Sequence, residues 1–139
     1  MARDIFHPIV REVLLNDGWV ITHDPYPIRV KGRNYEVDLG AEQLMAAEKD
    51  TRKIAVEVKS FLLPSFSHEF HAVLGQYLND QTFMEIQEPD RTLFLAVARN
   101  IYDKFFLDEA TQLIVDKFKL NLVIFDKQTK KVEEWILKS

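Results

Sequence analysis

Three side chains stand out for the chemistry their types and spacing allow: Asp38, Glu57 and Lys59. Glu57-Val58-Lys59 is the single acidic-x-Lys triplet in the chain. Alternate residues of a β-strand point the same way, roughly 6.6 Å apart along it, so an extended segment here projects Glu57 and Lys59 together. A carboxylate pair such as Asp38 and Glu57 suits a hard divalent cation, Mg²⁺ with Mn²⁺ as the alternative, which prefers oxygen ligands. Such an ion acidifies a bound water and neutralises charge on a phosphoryl oxygen. The Lys59 ammonium would orient that water or stabilise the charge that develops on the phosphate. The reaction this set suits is hydrolysis of a phosphodiester. The plain alternative is an exposed strand face on which Glu57 and Lys59 pair in water, worth little energetically. Chance supplies about one such triplet in a chain of this length, so the residue types alone leave both readings open.

These side chains need strands to carry them. Over Lys53 to Ser60, Ile54, Val56 and Val58 share one face, and Ala55, Glu57 and Lys59 share the other. Asn34 to Leu39 reads as a second strand, with Asp38 at its end and Gly40 allowing a bend. Leu44 to Glu48 reads as a third, joined to Lys53 to Ser60 by a turn over Lys49 to Arg52. Ahead of these, Ile5, Ile9 and Val13, flanked by Phe6, Val10 and Leu14, recur at helical spacing. Asp4 caps this first helix, Pro8 falls in its first turn and Gly18 stops it. Trp19 to Thr22 is a short strand, interrupted by Asp24, Pro25 and Pro27, with extended structure resuming over Ile28 to Lys31. Phe70, Val73, Leu74 and Tyr77 predict a helix capped by Ser65 or Ser67 and running to about Glu85, and Pro89 closes that region. Thr92 to Ala98 predicts a strand buried on both faces. One helix is expected over Ile101 to Phe118, with Phe105, Leu113, Val115 and Phe118 in the core. A final hairpin follows, from Leu120 to Phe125 and from Lys131 to Leu137, turning through Asp126 to Lys130. The order predicts an α/β or α+β fold, a mixed central sheet flanked by helices, within one domain over residues 1–139.

Composition narrows the function classes. The 139 residues are 47% hydrophobic and 29% charged, a globular balance that argues against disorder. There is no cysteine, which excludes disulfides, thiolate zinc sites, iron–sulfur clusters and cysteine nucleophiles. The net charge of −4 is unpromising for unaided binding to a phosphate backbone. Met1 to Ile5 lacks the basic-then-apolar pattern of a signal peptide, and no apolar run approaches the roughly 20 residues of a membrane span, so a soluble cytoplasmic protein is expected.

From Asp4 almost to the C-terminus the chain resembles the XisH family, the fdxN element excision controlling factors of nitrogen-fixing cyanobacteria. The resemblance is carried by Asp17-Gly18-Trp19, Thr22-His23-Asp24-Pro25, Asp38-Leu39-Gly40-Ala41-Glu42, Ala46-Ala47-Glu48 and Ile54 to Phe61. It continues in Glu69-Phe70-His71, Leu74-Gly75-Gln76-Tyr77, Glu88-Pro89-Asp90-Arg91 and Phe105-Phe106. The family looks like a member of the PD-(D/E)XK restriction-endonuclease-like fold, whose core runs helix, three strands, helix, strand. The resemblance implies that Asp38 is the first acid of the nuclease motif, Glu57 the second and Lys59 its lysine. Gln76 falls on the Gln of a Gln-x-x-x-Tyr helix pattern in related nucleases, but the Tyr position holds Asp80. Val37 stands where many have Pro. The family's role implies support of a programmed DNA excision performed by a separate site-specific recombinase, and association with a small companion protein of the XisI type. Two functions follow as expectations: a Mg²⁺-dependent endonuclease acting on DNA, or a catalytically silent accessory protein that binds the companion or the recombination complex. A homo-oligomer is compatible with either.

Other polar residues have simpler readings. His7 on the first helix reads as a partly buried residue with a local partner, and Glu12 as a solvated charge. His68 and His71, three apart on a helix, lack a third ligand at metal spacing and read as surface or capping residues. Glu48 sits before a turn as a solvated carboxylate, and Glu42 is a secondary candidate beside Asp38. Arg29, Lys31 and Arg33 form a basic stripe that reads either as a phosphate contact or as a solubilising face. The phenylalanines read as core, and Trp135 as core or interface.

Overall fold

The computed structural model describes residues 4–30, 33–34 and 45–139. Helix α1 (His7–Asn16) begins with Pro8 in its first turn, where a missing backbone donor is harmless. Asp4 acts just outside the helix: its Oδ1 accepts from the Phe6 amide at 2.8 Å. Gly18 ends the turn that follows with φ 89°, a left-handed conformation that glycine adopts without strain. The chain then enters β1 (Val20–His23) and the short hairpin of β2 (Arg29–Val30) and β3 (Arg33–Asn34). The rest of the strand expected over Asn34 to Leu39 lies outside the described residues, as do Asp38, Glu42 and the Lys31 of the basic stripe.

Strands β4 (Met45–Lys49) and β5 (Arg52–Val58) form an antiparallel pair in which Ala46 faces Ala55 and Ala47 faces Ile54. Helix α2 (Phe66–Gln87) follows, capped by Ser65, whose Oγ accepts from the His68 amide at 3.2 Å. It crosses to β6 (Arg91–Ala98), which runs parallel to β5 with Glu57 beside Leu95. Strand β7 (Leu122–Asp126) is parallel to β6, and β8 (Lys131–Ile136) returns antiparallel. Among the described residues the result is a six-stranded mixed sheet in the order β1-β4-β5-β6-β7-β8. The expected core succession of helix, three sheet strands, helix and strand is present as α1, β1, β4, β5, α2 and β6.

The central strands are sealed on both faces. All of Leu93 to Ala98 is buried, as parallel strands between helical layers require. One face presents Val56, Ala98 and Phe125 toward α1, whose Val10, Val13 and Leu14 are also buried. The other presents Ala55, Glu57, Leu93 and Leu95 toward α2, which buries Phe70, Val73, Tyr77 and Met84. Each large aliphatic side chain so covered contributes about 1.5–3 kcal/mol. The alanines at 46, 55 and 96 leave the backbone surface low in the middle of the sheet.

The helix expected over Ile101 to Phe118 is not continuous. A single turn, α3 (Arg99–Ile101), runs into a π-helical stretch, Tyr102–Phe106. The chain then breaks at Leu107 and Asp108 before α4 (Glu109–Lys117). The wider turn lets Phe106 enter the core fully while neighbouring Phe105 stacks on Phe66 with ring centroids 4.5 Å apart. The Gln112 side chain donates to the freed Phe106 carbonyl. The break also rotates α4: Val115 is buried, but Leu113 is 67% exposed and Phe118 42% exposed, so neither belongs to the core.

Candidate active site

Glu57 lies near the middle of the sheet on β5, with 1% of its surface exposed. Lys59 follows two residues later on the same side, and its side chain is 22% exposed, nearer the rim. The strand's opposite face, Ile54, Val56 and Val58, is apolar and buried. The pleat therefore does to Glu57 and Lys59 what their spacing predicts.

What faces them comes from α2. Asp80, 3% exposed, lies beside the Glu57 carboxyl. Burial pushes the Asp80 carboxyl above its ordinary value, against the downward pull of the neighbouring Glu57 and Asn79 side chains. One turn earlier, Tyr77 is fixed by two backbone bonds: its hydroxyl donates to the Leu93 carbonyl at 3.1 Å and accepts from the Asn121 amide at 3.1 Å. Burial, with the negative charge of Glu57 adding to it, pushes the Tyr77 hydroxyl up to about 12. Glu69, 4% exposed, places Oε1 3.8 Å from the Lys59 ammonium. Its other oxygen accepts from the Leu63 amide at 3.2 Å. Gln76 is half-buried on the same helix, one turn before Asp80.

The end of the motif strand is pinned by Asp4, just ahead of α1. Asp4 Oδ2 accepts from both the Ser60 amide at 2.8 Å and the Ser60 hydroxyl at 3.0 Å. The next residue, Phe61, turns with φ 54°. The backbone immediately after Lys59 is thus held by a carboxylate that also starts the first helix.

Asp80 and Glu69 were not predicted as site residues, although a signal for them exists. Glu69, Gln76 and Asp80 are spaced seven and four apart, which puts three polar side chains on one line of a helix otherwise buried through Phe70, Val73, Tyr77 and Met84. Other sequence candidates lie elsewhere. His7 is 1% exposed on α1, its Nε2 2.9 Å from Asp24 Oδ1, while Arg11 donates to the other Asp24 oxygen at 2.7 Å. Its partner is 17 residues away rather than local. His68 and His71 are exposed. Glu48 is 3.8 Å from Arg91. Among the described residues no group of three or more His, Asp or Glu side chains is gathered as a metal ligand set; Asp38 and Glu42 fall outside them.

A mixed sheet between helices, with an acid and a lysine alternating on a central strand and a polar helix stripe set against them, is the class of protein that fold and site define. The chain belongs to the XisH protein family, whose model matches residues 1–133. It is similar to the solved structure of an XisH family protein from Nostoc punctiforme PCC 73102, at 38% identity with a TM-score of 0.87. It is equally similar in fold to an fdxN element excision controlling factor protein from Anabaena variabilis, at 40% identity with a TM-score of 0.87. Each comparison covers 96% of this chain and 99% of the other. No curated protein matches the chain. Among the described residues no helix is long and apolar enough to cross a membrane.

Proposed function

We propose that this XisH-family chain is a DNA-processing factor supporting excision of a DNA element, and that it acts as a divalent-metal-dependent phosphodiester hydrolase. The observation that carries this reading is Glu57, 1% exposed at mid-sheet and set against a second buried carboxyl, with Lys59 following on the same face. Burying carboxyl groups in a core costs stability, and such clusters concentrate where chemistry needs them. The Anabaena variabilis neighbour, described as an excision controlling factor, directs that chemistry toward DNA.

The donor set fits a hard cation. Glu57 supplies carboxylate oxygen in an enclosed polar spot, and Asp80 adds a carboxyl in contact with it. Glu57 together with Asp38 would hold Mg²⁺ or Mn²⁺, which when bound acidifies a water and neutralises charge on a phosphoryl oxygen. Lys59 orients the attacking water or stabilises phosphate charge once its ammonium turns from Glu69. Gln76, on the helix facing the motif strand, positions substrate or water. DNA, an XisI-type companion and a recombinase complex are the partners this reading implies.

The test is DNA cleavage titrated with Mg²⁺ and with Mn²⁺, comparing the parent with Glu57→Ala and Lys59→Ala. Each substitution should lower the rate about a hundredfold or more. Cleavage that survives both rejects the mechanism.

A second reading, a catalytically silent accessory protein, is favoured by specific features. Lys59 lies 3.8 Å from Glu69, Asp80 occupies the position of the nuclease tyrosine, and the net charge is −4. It predicts stable co-purification with the companion, undiminished by Glu57→Ala. A protein that ignores the companion counts against it.

A further inference from the structure

On the sheet face opposite Glu57, a cavity of about 370 Å³ opens beside the turn joining β4 and β5. Its aromatic wall is a cluster: Trp135 lies against Phe94 with ring centroids 4.9 Å apart and against Trp19 at 5.7 Å. Leu137, 65% exposed, forms the open side. Three cations surround this wall, and their partners differ. Lys49 donates to the Asp17 carbonyl at 2.6 Å, and Lys53 lies 3.7 Å from Asp90 and 3.9 Å from Glu88. Arg52 is exposed, its guanidinium lies 5.2 Å from the Trp19 ring centroid, and it makes no ion pair among the described residues.

We infer that this cavity is a nucleotide-binding site, in which Trp135 stacks a base and Arg52 takes the attached phosphate. The chemistry selects this class. The cation–π role at Trp19 is already filled by Arg52 and Lys49, so a cationic guest would meet like charge. The guest that matches is flat, aromatic and anionic. A base on a tryptophan with its phosphate on a guanidinium is the unit by which single strands are bound without sequence readout. The chain's net charge is negative, but the cations at this mouth outnumber the acid, Asp90, that lines it. The site goes beyond the proposed hydrolysis: it lies on the other face of the sheet and requires no metal. The nucleotide is supplied either free or as part of a single strand.

The chain has two tryptophans and both line this cavity, so intrinsic tryptophan fluorescence reports on it directly. The experiment titrates the whole protein in EDTA with thymidine, dTMP, inorganic phosphate and a short oligo(dT) strand. Saturable quenching is expected with dTMP and oligo(dT), with dTMP about tenfold tighter than thymidine. Arg52→Gln, an exposed substitution that spares the core, should weaken dTMP and oligo(dT) about tenfold and leave thymidine unchanged. Equal affinity per nucleotide for dTMP and oligo(dT) assigns the site to free nucleotides, and tighter oligo(dT) assigns it to a strand. No saturable quenching, an Arg52→Gln protein that binds dTMP as the parent does, or inorganic phosphate binding as tightly as dTMP would each overturn the inference. Glu57→Ala should keep the signal while losing cleavage, so failure here and failure of the hydrolase reading remain separate results.

Discussion

Arg91 is a buried cation whose loss has a calculable consequence. It opens β6 with a side chain 2% exposed. Its Nη1 donates to the Ile54 carbonyl at 2.9 Å, and its Nε and Nη2 donate to the two Glu88 oxygens at 3.1 and 3.2 Å. The guanidinium also lies 4.9 Å from the Tyr26 ring centroid, and Tyr26 donates to Glu88 at 2.6 Å. Because Ile54 precedes Glu57 on the same strand, this cluster anchors the strand that carries the candidate site. In Arg91→Ala the buried charged bond to Ile54 is lost, worth about 1.5–3 kcal/mol. The Glu88 side chain is 27% exposed, so its share is discounted to about 1 kcal/mol or less. A total near 3 kcal/mol, spread over the unfolding entropy of a 139-residue chain, lowers Tm by about 10 °C. Arg91→Lys should recover less than half, since an ammonium cannot make the forked contact. The acid limb gives a further check. Burial pushes Glu88 up, but the bonds from Arg91 and Tyr26 outweigh it and hold the carboxyl below its ordinary value of 4.5. The stability this group supplies is therefore present above that value and lost as pH falls through the lower folded one, so the gap between parent and Arg91→Ala should narrow in acid. Thermal unfolding followed by circular dichroism measures both. A Tm loss under about 3 °C would refute the anchoring role.

Asp80 carries the opposite sign. Its carboxyl is raised above the ordinary 3.8 by burial, so the folded state holds its proton more tightly, and the stability it gives is lost as pH rises through the folded value. Asp80→Asn should flatten the fall of urea-unfolding stability as pH rises above the ordinary carboxyl value of 3.8, and be the more stable protein at the upper end; parallel curves for the two proteins would contradict this. Asp4→Ala should cost about 1–2 kcal/mol in the same assay, since the carboxylate accepts from the Phe6 amide, the Ser60 amide and the Ser60 hydroxyl. If instead Asp4→Ala unfolds at the parental urea midpoint, the clamp between α1 and the end of β5 is not holding the structure.

How far the sequence could be read depends on the range of the interactions involved. The alternation of Ile54, Val56 and Val58 against Ala55, Glu57 and Lys59 is a local property of a pleated strand, and it places Glu57 and Lys59 on one side whatever packs against them. The first helix with its proline and terminal glycine, the buried run of β6 and the last hairpin are local in the same sense. The partner of Glu57 is not. Asp80 lies 23 positions away on a helix whose rotation is set by the packing of Tyr77 and Met84, and at the level of motif it looked only like a missing tyrosine. Leu113 and Phe118 have the chemistry of core residues, yet the π-helical turn that admits Phe106 swings α4 so that they face outward. Apolar periodicity says that a helix has a covered face; which neighbour covers it, and where the chain bends to reach it, is set by contacts distant in sequence. That is also why an aromatic wall built from Trp19, Phe94 and Trp135, drawn from a loop and two strands, exists only once the sheet is assembled.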